Sequence, residues 1–187
     1  MLSRFLGRLL KSIHAGENHL AWNNKATHHV PATISLSSNA FQPNGNIPLQ
    51  YAGPGVGDNI SPALSWSDTP ENTKELVIIL QDPDAPLTKP FVHLIAYGIS
   101  AHTDKFEDGE LATTSTQIKF GKNTFKGFGY TGPRALPSHG PHRYVFQIFA
   151  LDKPLSFATM PTLEILLDAM QNSVIARGRL DGFFESI

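Results

Sequence analysis

The 187-residue chain contains no cysteine, which excludes disulfide frameworks, thiolate metal sites and cysteine nucleophiles. It also lacks any apolar run approaching the roughly 20 residues that a membrane-spanning helix needs. No charge of one sign dominates: 15 Lys and Arg stand against 16 Asp and Glu. No broad field would therefore draw in nucleic acid, and no nucleic-acid partner is expected. The G-x-S-x-G, P-loop and H-E-x-x-H patterns are absent, which removes the common hydrolase, nucleotide and zinc-protease templates. "GFGYTG" at 127–132 has the G-x-G-x-x-G spacing, but it runs into Pro133 and a strand, whereas a dinucleotide site needs it to open a helix. Lack of cysteine is compatible with the cytoplasm, the expected location. No cofactor or metal is expected.

What is present is a globular composition, 41% apolar and 17% charged, of a length that fits one domain. Two regions separate: residues 1–30, an N-terminal amphipathic helix and connector, and residues 31–187, a β-domain. In "MLSRFLGRLLKSI", Leu2, Phe5, Leu6, Leu9, Leu10 and Ile13 fall on one helical face, and Arg4, Arg8 and Lys11 on the other. Such a face most often packs, here on its own domain or on a second copy in a homodimer. The alternative is reversible contact with an anionic membrane. Residues 14–30 carry four of the eight histidines without regular metal-site spacing and read as a connector, with a metal-binding tract as the alternative. In an extended segment the adjacent His28 and His29 would point opposite ways.

From Pro31 onwards short β-type runs alternate with Gly, Pro, Asn and Asp clusters, the pattern of an all-β sandwich or barrel. "PNGN" at 43–46 is a turn signal, Pro presetting φ and Gly tolerating positive φ. The segment 112–132 is a long irregular stretch, and loops of that length inside a domain are often functional. One later segment, "PTLEILLDAMQN", reads as a helix opened by Pro161, and "SVIARGRLDGFFESI" as a terminal strand.

Three elements could carry chemistry. Leu76 to Leu80 form a buried strand that empties into Asp82-Pro83-Asp84-Ala85-Pro86, where the prolines hold two carboxylates in a rigid turn. These carboxylates either orient a ligand or a histidine, or satisfy local backbone N–H groups. His93 opens the otherwise apolar strand "FVHLIAYGI", as a satisfied core residue or a pocket residue. In "HRYVFQIFAL" alternation sets His142, Tyr144, Phe146 and Ile148 on one face and Arg143, Val145, Gln147 and Phe149 on the other. Arg143 then becomes a surface or ion-pair residue. If this strand starts beside the one carrying His93 and the end of the one carrying Asp82, an acid, two imidazoles and a phenol converge. Their N–H and O–H donors suit an anion, with Asp82 fixing a histidine tautomer. The preceding loop, with Gly132, Gly140 and prolines 133, 137 and 141, allows close backbone approach and reads as a pocket wall.

"NISPALSW" at 59–66, "DPDAP" at 82–86, His93, "GPHRYVFQIFALD" at 140–152 and "ARGRLDGFFE" at 176–185 together resemble the phosphatidylethanolamine-binding protein family, over roughly residues 31–187. The resemblance implies a mainly β fold, an antiparallel β-sandwich with a few peripheral helices and a small anion pocket. Carried over residue by residue, it makes Asp82, His93, Gly132, Pro133, His142 and Tyr144 ligand-binding. The ending "RLDGFFESI" resembles the bacterial type rather than the animal type with its C-terminal helix. The expected function is non-enzymatic binding of a small phosphate- or carboxylate-bearing ligand such as a lipid headgroup, with a kinase or protease as the protein partner that the family implies. Two alternatives stand beside it. One is an acid–base enzyme for phosphoryl transfer or hydrolysis through Asp82, His93 and His142. The other is a scaffold acting through its surface.

Overall fold

Five apolar side chains in a row, Leu76 to Leu80, have one stable arrangement in a β-protein, which is a central strand covered on both faces. The computed structural model, which describes residues 2–112 and 118–186, builds the molecule around that strand. In chain order its elements are α1 (Leu2–Leu9), β1 (Ser35–Ser37), β2 (Gly45–Asn46), β3 (Leu64–Ser67), β4 (Glu75–Asp82), β5 (Phe91–Ser100), β6 (Lys105–Phe106), β7 (Lys119–Phe120), β8 (His142–Leu151), α2 (Leu163–Met170) and β9 (Val174–Phe184). The large sheet runs β2-β9-β8-β4-β5-β7 and the small one β1-β3-β6. All neighbours are antiparallel except β2, which lies parallel to β9. The expected β-sandwich with peripheral helices is thus the observed fold. Part of the long irregular stretch, residues 113–117, lies outside the described residues.

Every residue of β4 is buried, so the large sheet has two apolar faces. Ile78, Leu80, Leu94, Tyr144, Phe146 and Ile148 point into the core shared with the small sheet. Val77, Ile79, Ile95, Phe149 and Leu151 point the other way, under Leu166, Leu167 and Met170 of α2. Thr162 caps α2 by accepting from the N–H of Ile165, so that Pro161, expected to open the helix, lies just before the cap. Residues 20–30 pack on the same face: Ala21, Ala26 and Val30 join its core, and the Arg177 guanidinium sits 3.9 Å from the Trp22 ring centroid.

Several local expectations change in three dimensions. In the 43–46 turn the positive φ falls on Asn44, at 60°, and not on Gly45. Gly45 is there for space, since a Cβ would meet the Gln42 carbonyl oxygen at 2.8 Å. His28 and His29 do not diverge: their segment is a turn rather than extended chain, and the two ring centroids lie 5.5 Å apart. Among the described residues, no group of three or more His, Asp or Glu side chains is placed to hold a metal. Most of the apolar stripe of α1 does not pack on the domain. Phe5, Leu6, Leu9 and Ile13 are exposed, Leu10 is half-buried, and the helix docks through Gly7, whose missing Cβ lets it sit against the Pro137 carbonyl. The side chain of Leu2, counted in that stripe, lies outside the described residues.

Candidate functional site

Asp82 ends β4 and His142 opens β8, and the antiparallel pairing of these two strands brings both ends to one edge of the sandwich. The Asp82 carboxylate meets His142 Nδ1 at 2.8 Å, both residues being buried. Its other oxygen accepts from the backbone N–H of Asp84 at 2.8 Å. Asp82 therefore does both things expected of a turn carboxylate. Asp84 accepts from the backbone N–H of Arg143 at 2.7 Å and so ties the DPDAP turn to the start of β8.

His93 arrives by a different device. Leu80 pairs with Leu94 and Gln81 with Val92, so His93 is an extra residue absorbed in a bulge. Strict alternation from Leu94 would turn His93 away from the inter-sheet core; the bulge turns its ring to Tyr144 instead, with centroids 5.2 Å apart. The strand that carries His142 is not beside the strand that carries His93, as the sequence reading supposed, because β4 lies between them. Tyr144 bridges the gap, being a large side chain on the inner face.

Gly132 and Pro133 lie between two residues that touch these groups. Thr131 gives its carbonyl to His93 Nδ1 at 2.7 Å, and the Tyr144 hydroxyl accepts from the Arg134 N–H at 3.1 Å. Gly132 itself donates to the side chain of Asn59 at 2.8 Å, and a Cβ on Gly132 would collide with the Tyr51 carbonyl. Phe125, half-exposed, completes the surroundings at 5.3 Å from the His93 ring and stacked on Phe91 at 5.4 Å.

The site contains one residue that sequence reasoning missed. His139 Nδ1 lies 2.8 Å from His142 Nε2, and His139 Nε2 lies 2.9 Å and 3.2 Å from the carbonyl oxygens of Leu10 and Ile13. The H-G-P-H spacing is the one signal of this in the sequence. Its second partner could not be anticipated, because it comes from backbone more than 120 residues away. The N-terminal segment continues across the same edge, where the N–H groups of Ala15 and Gly16 donate to the carbonyls of Ala85 and Pro83. Glu17, also unforeseen, pairs with Arg143 and with Arg179, which confirms Arg143 as an ion-pair residue.

Carbonyl oxygens only accept, so His139 Nε2 carries hydrogen, and in a neutral His139 the Nδ1 atom accepts from His142 Nε2–H. Burial, then the charge of His142, hold His139 below the ordinary histidine range. Burial also lowers His93, opposed by the Asp82 charge and by the Thr131 and Gly132 carbonyls. The His93 Nδ1–H donates to the Thr131 carbonyl, and its buried Nε2 has no hydrogen-bond partner among the described residues. Burial and then Asp82 push the Tyr144 hydroxyl well above the ordinary tyrosine range.

The class that the fold and these residues define is a two-sheet β-sandwich with histidines, an aspartate and a tyrosine gathered at one end of the large sheet. Comparison with known proteins gives the class its family. The sequence profile of the phosphatidylethanolamine-binding protein matches residues 37–185, and the chain belongs to that family. It is 35% identical over 156 residues to a UPF0098 protein of Methanothermobacter thermautotrophicus, covering 81% of this chain and 98% of that one. A crystal structure of a phosphatidylethanolamine-binding protein homologue from Chlamydia trachomatis is 35% identical, with a TM-score of 0.75 over 83% of this chain and 99% of the other. YbcL of Escherichia coli, 23% identical, shares the fold with a TM-score of 0.76 over 83% of this chain and all of that one.

Proposed function

We propose that this protein binds a small anion, a phosphate or carboxylate group, without transforming it, in the pocket of Asp82, His93, Gly132, Pro133, His142 and Tyr144. The observation that carries the reading is the His93 imidazole, with a buried Nε2 that has no partner among the described residues, beside the Tyr144 ring and near a His142 ring that Asp82 holds in place. Protonation of His93 turns Nε2 into a charged donor, and an incoming anion supplies the counter-charge that burial otherwise denies it. Binding is then coupled to proton uptake and strengthens as the pH falls below about 6.5. The N-terminal segment, bonded to His139 and to the DPDAP turn, covers this edge, so the ligand enters as residues 10–16 give way.

Imidazole resonances of the full chain, titrated with inorganic phosphate and with phosphorylethanolamine, test the proposal. His93 and His142 should shift at millimolar ligand, and more at pH 6 than at pH 8. Unmoved resonances at both pH values would remove the anion reading. Steady release of phosphate from a simple phosphoester, lost in His142→Ala, would replace binding with acid–base catalysis by the same residues.

A further inference from the structure

Helix α1 faces the wrong way for a helix that stabilises its own domain. Its body-facing side is Gly7, where a Cβ would fall within the van der Waals radius of the Pro137 carbonyl oxygen. Glycine inside a helix is unfavourable relative to alanine, so close seating is the one structural gain at this position. Bonds from His139 to the Leu10 and Ile13 carbonyls hold the end of the segment. Held in this way, the segment aims Phe5, Leu6, Leu9 and Ile13 into solvent, with Phe5 and Leu9 each 66% exposed.

The charge of the segment is as lopsided as its packing. Residues 1–16 contain Arg4, Arg8 and Lys11 and no acid, while the remaining twelve Lys and Arg face all sixteen Asp and Glu. All three cations are exposed, and none pairs with a carboxylate among the described residues. At 100° per residue Arg4 and Arg8 flank the apolar stripe on one side. More apolar side chains stand exposed at the same end of the sandwich, namely Leu87 after the DPDAP turn and Phe125 beside His93.

We infer that residues 2–13 are a docking element for an anionic lipid surface, engaged with the helix still seated on the loop that carries His139. An apolar wedge bordered by unpaired cations matches an interface of acyl chains and acidic headgroups. A second copy of the chain fits less well. Two helices of about 12 Å present facing stripes on the order of a few hundred Å², well short of the ~1,200 Å² of a stable interface, and bring like charges together. Docking presents the pocket end of the sandwich to the bilayer, but it does not depend on the pocket binding an anion.

Flotation of the full chain with vesicles decides this. Vesicles of equal phosphatidylglycerol and phosphatidylcholine should carry the protein, vesicles of phosphatidylcholine alone should carry at least about tenfold less, and salt should weaken the binding. Phe5→Ser with Leu9→Ser, and separately Arg4→Glu with Arg8→Glu, should each lower binding about tenfold or more while leaving the melting temperature unchanged, because these side chains are exposed. Equal binding to neutral vesicles, no binding to anionic ones, or retention by either double variant would overturn the inference. So would a dimer in light scattering that Phe5→Ser with Leu9→Ser converts to a monomer, which would assign the stripe to a second copy.

Discussion

Asp82 meets His142 Nδ1 at 2.8 Å at the end of a buried hydrogen-bonded chain that runs on to His139, and this makes Asp82 the residue on which the candidate site depends. Asp82→Asn keeps the shape and removes the carboxylate that the His142 ring faces. A loss of about 3 kcal/mol in urea unfolding is expected, in line with breaking one side of a buried pair. An unchanged midpoint would mean that the Asp82–His142 contact adds nothing to the folded state. Elsewhere a single buried acid has a purely structural task. Glu75 accepts from the N–H groups of Gly98 and Leu155, both at 2.8 Å, and so closes the far end of β4. Reading single residues found Asp82, His93, His142 and Tyr144, because polar residues in apolar strands stand out. It passed over His139, which lies in a loop rich in Gly and Pro, and Glu17, which lies in the connector.

At the scale of elements, the glycines of β9 show how closely the sheets approach. Burial alternates along the strand, and Gly178 lies under the Ile34 carbonyl, with the Ile148 side chain also within 3.0 Å of where a Cβ would be. Gly178→Ala forces that contact apart and should cost about 1–3 kcal/mol by denaturant unfolding, with the fold retained. Element type was legible in β4, β8, β9 and α2, where period and length agree. It was not legible in β2 or β7, each of two residues, because strands so short are defined by their partners rather than by their own pattern. The bulge at His93 was hidden for a similar reason. Its cause is the mismatch in register between β4 and β5, and neither strand alone contains it.

For the whole molecule, two buried histidines with lowered basicity set how stability depends on pH. Folded His93 and His139 hold fewer protons than they do in the unfolded chain, which binds them below about pH 6.5. Unfolding therefore takes up protons on the acid side. The stability these groups contribute is complete above about pH 6.5 and is lost as the pH falls toward their folded values, by at most about 1.4 kcal/mol per pH unit for each. Urea midpoints between pH 7.5 and 5 should fall accordingly, and His93→Gln should flatten the slope. An identical slope in that variant would assign the acid sensitivity to other groups.

The sequence by itself determined the class of fold, the buried central strand, the family and the residue types that meet at one end of the large sheet. These depend on local pattern and on motifs that survive as short strings. Only the tertiary structure decided which way His93 faces, which backbone receives the His139 proton, and that the apolar side of α1 points outward. Each of these is set by contacts between segments far apart in the chain. An amphipathic period says that a face exists, but only the packing of Gly7 against Pro137 says which face turns to the protein and which to solvent.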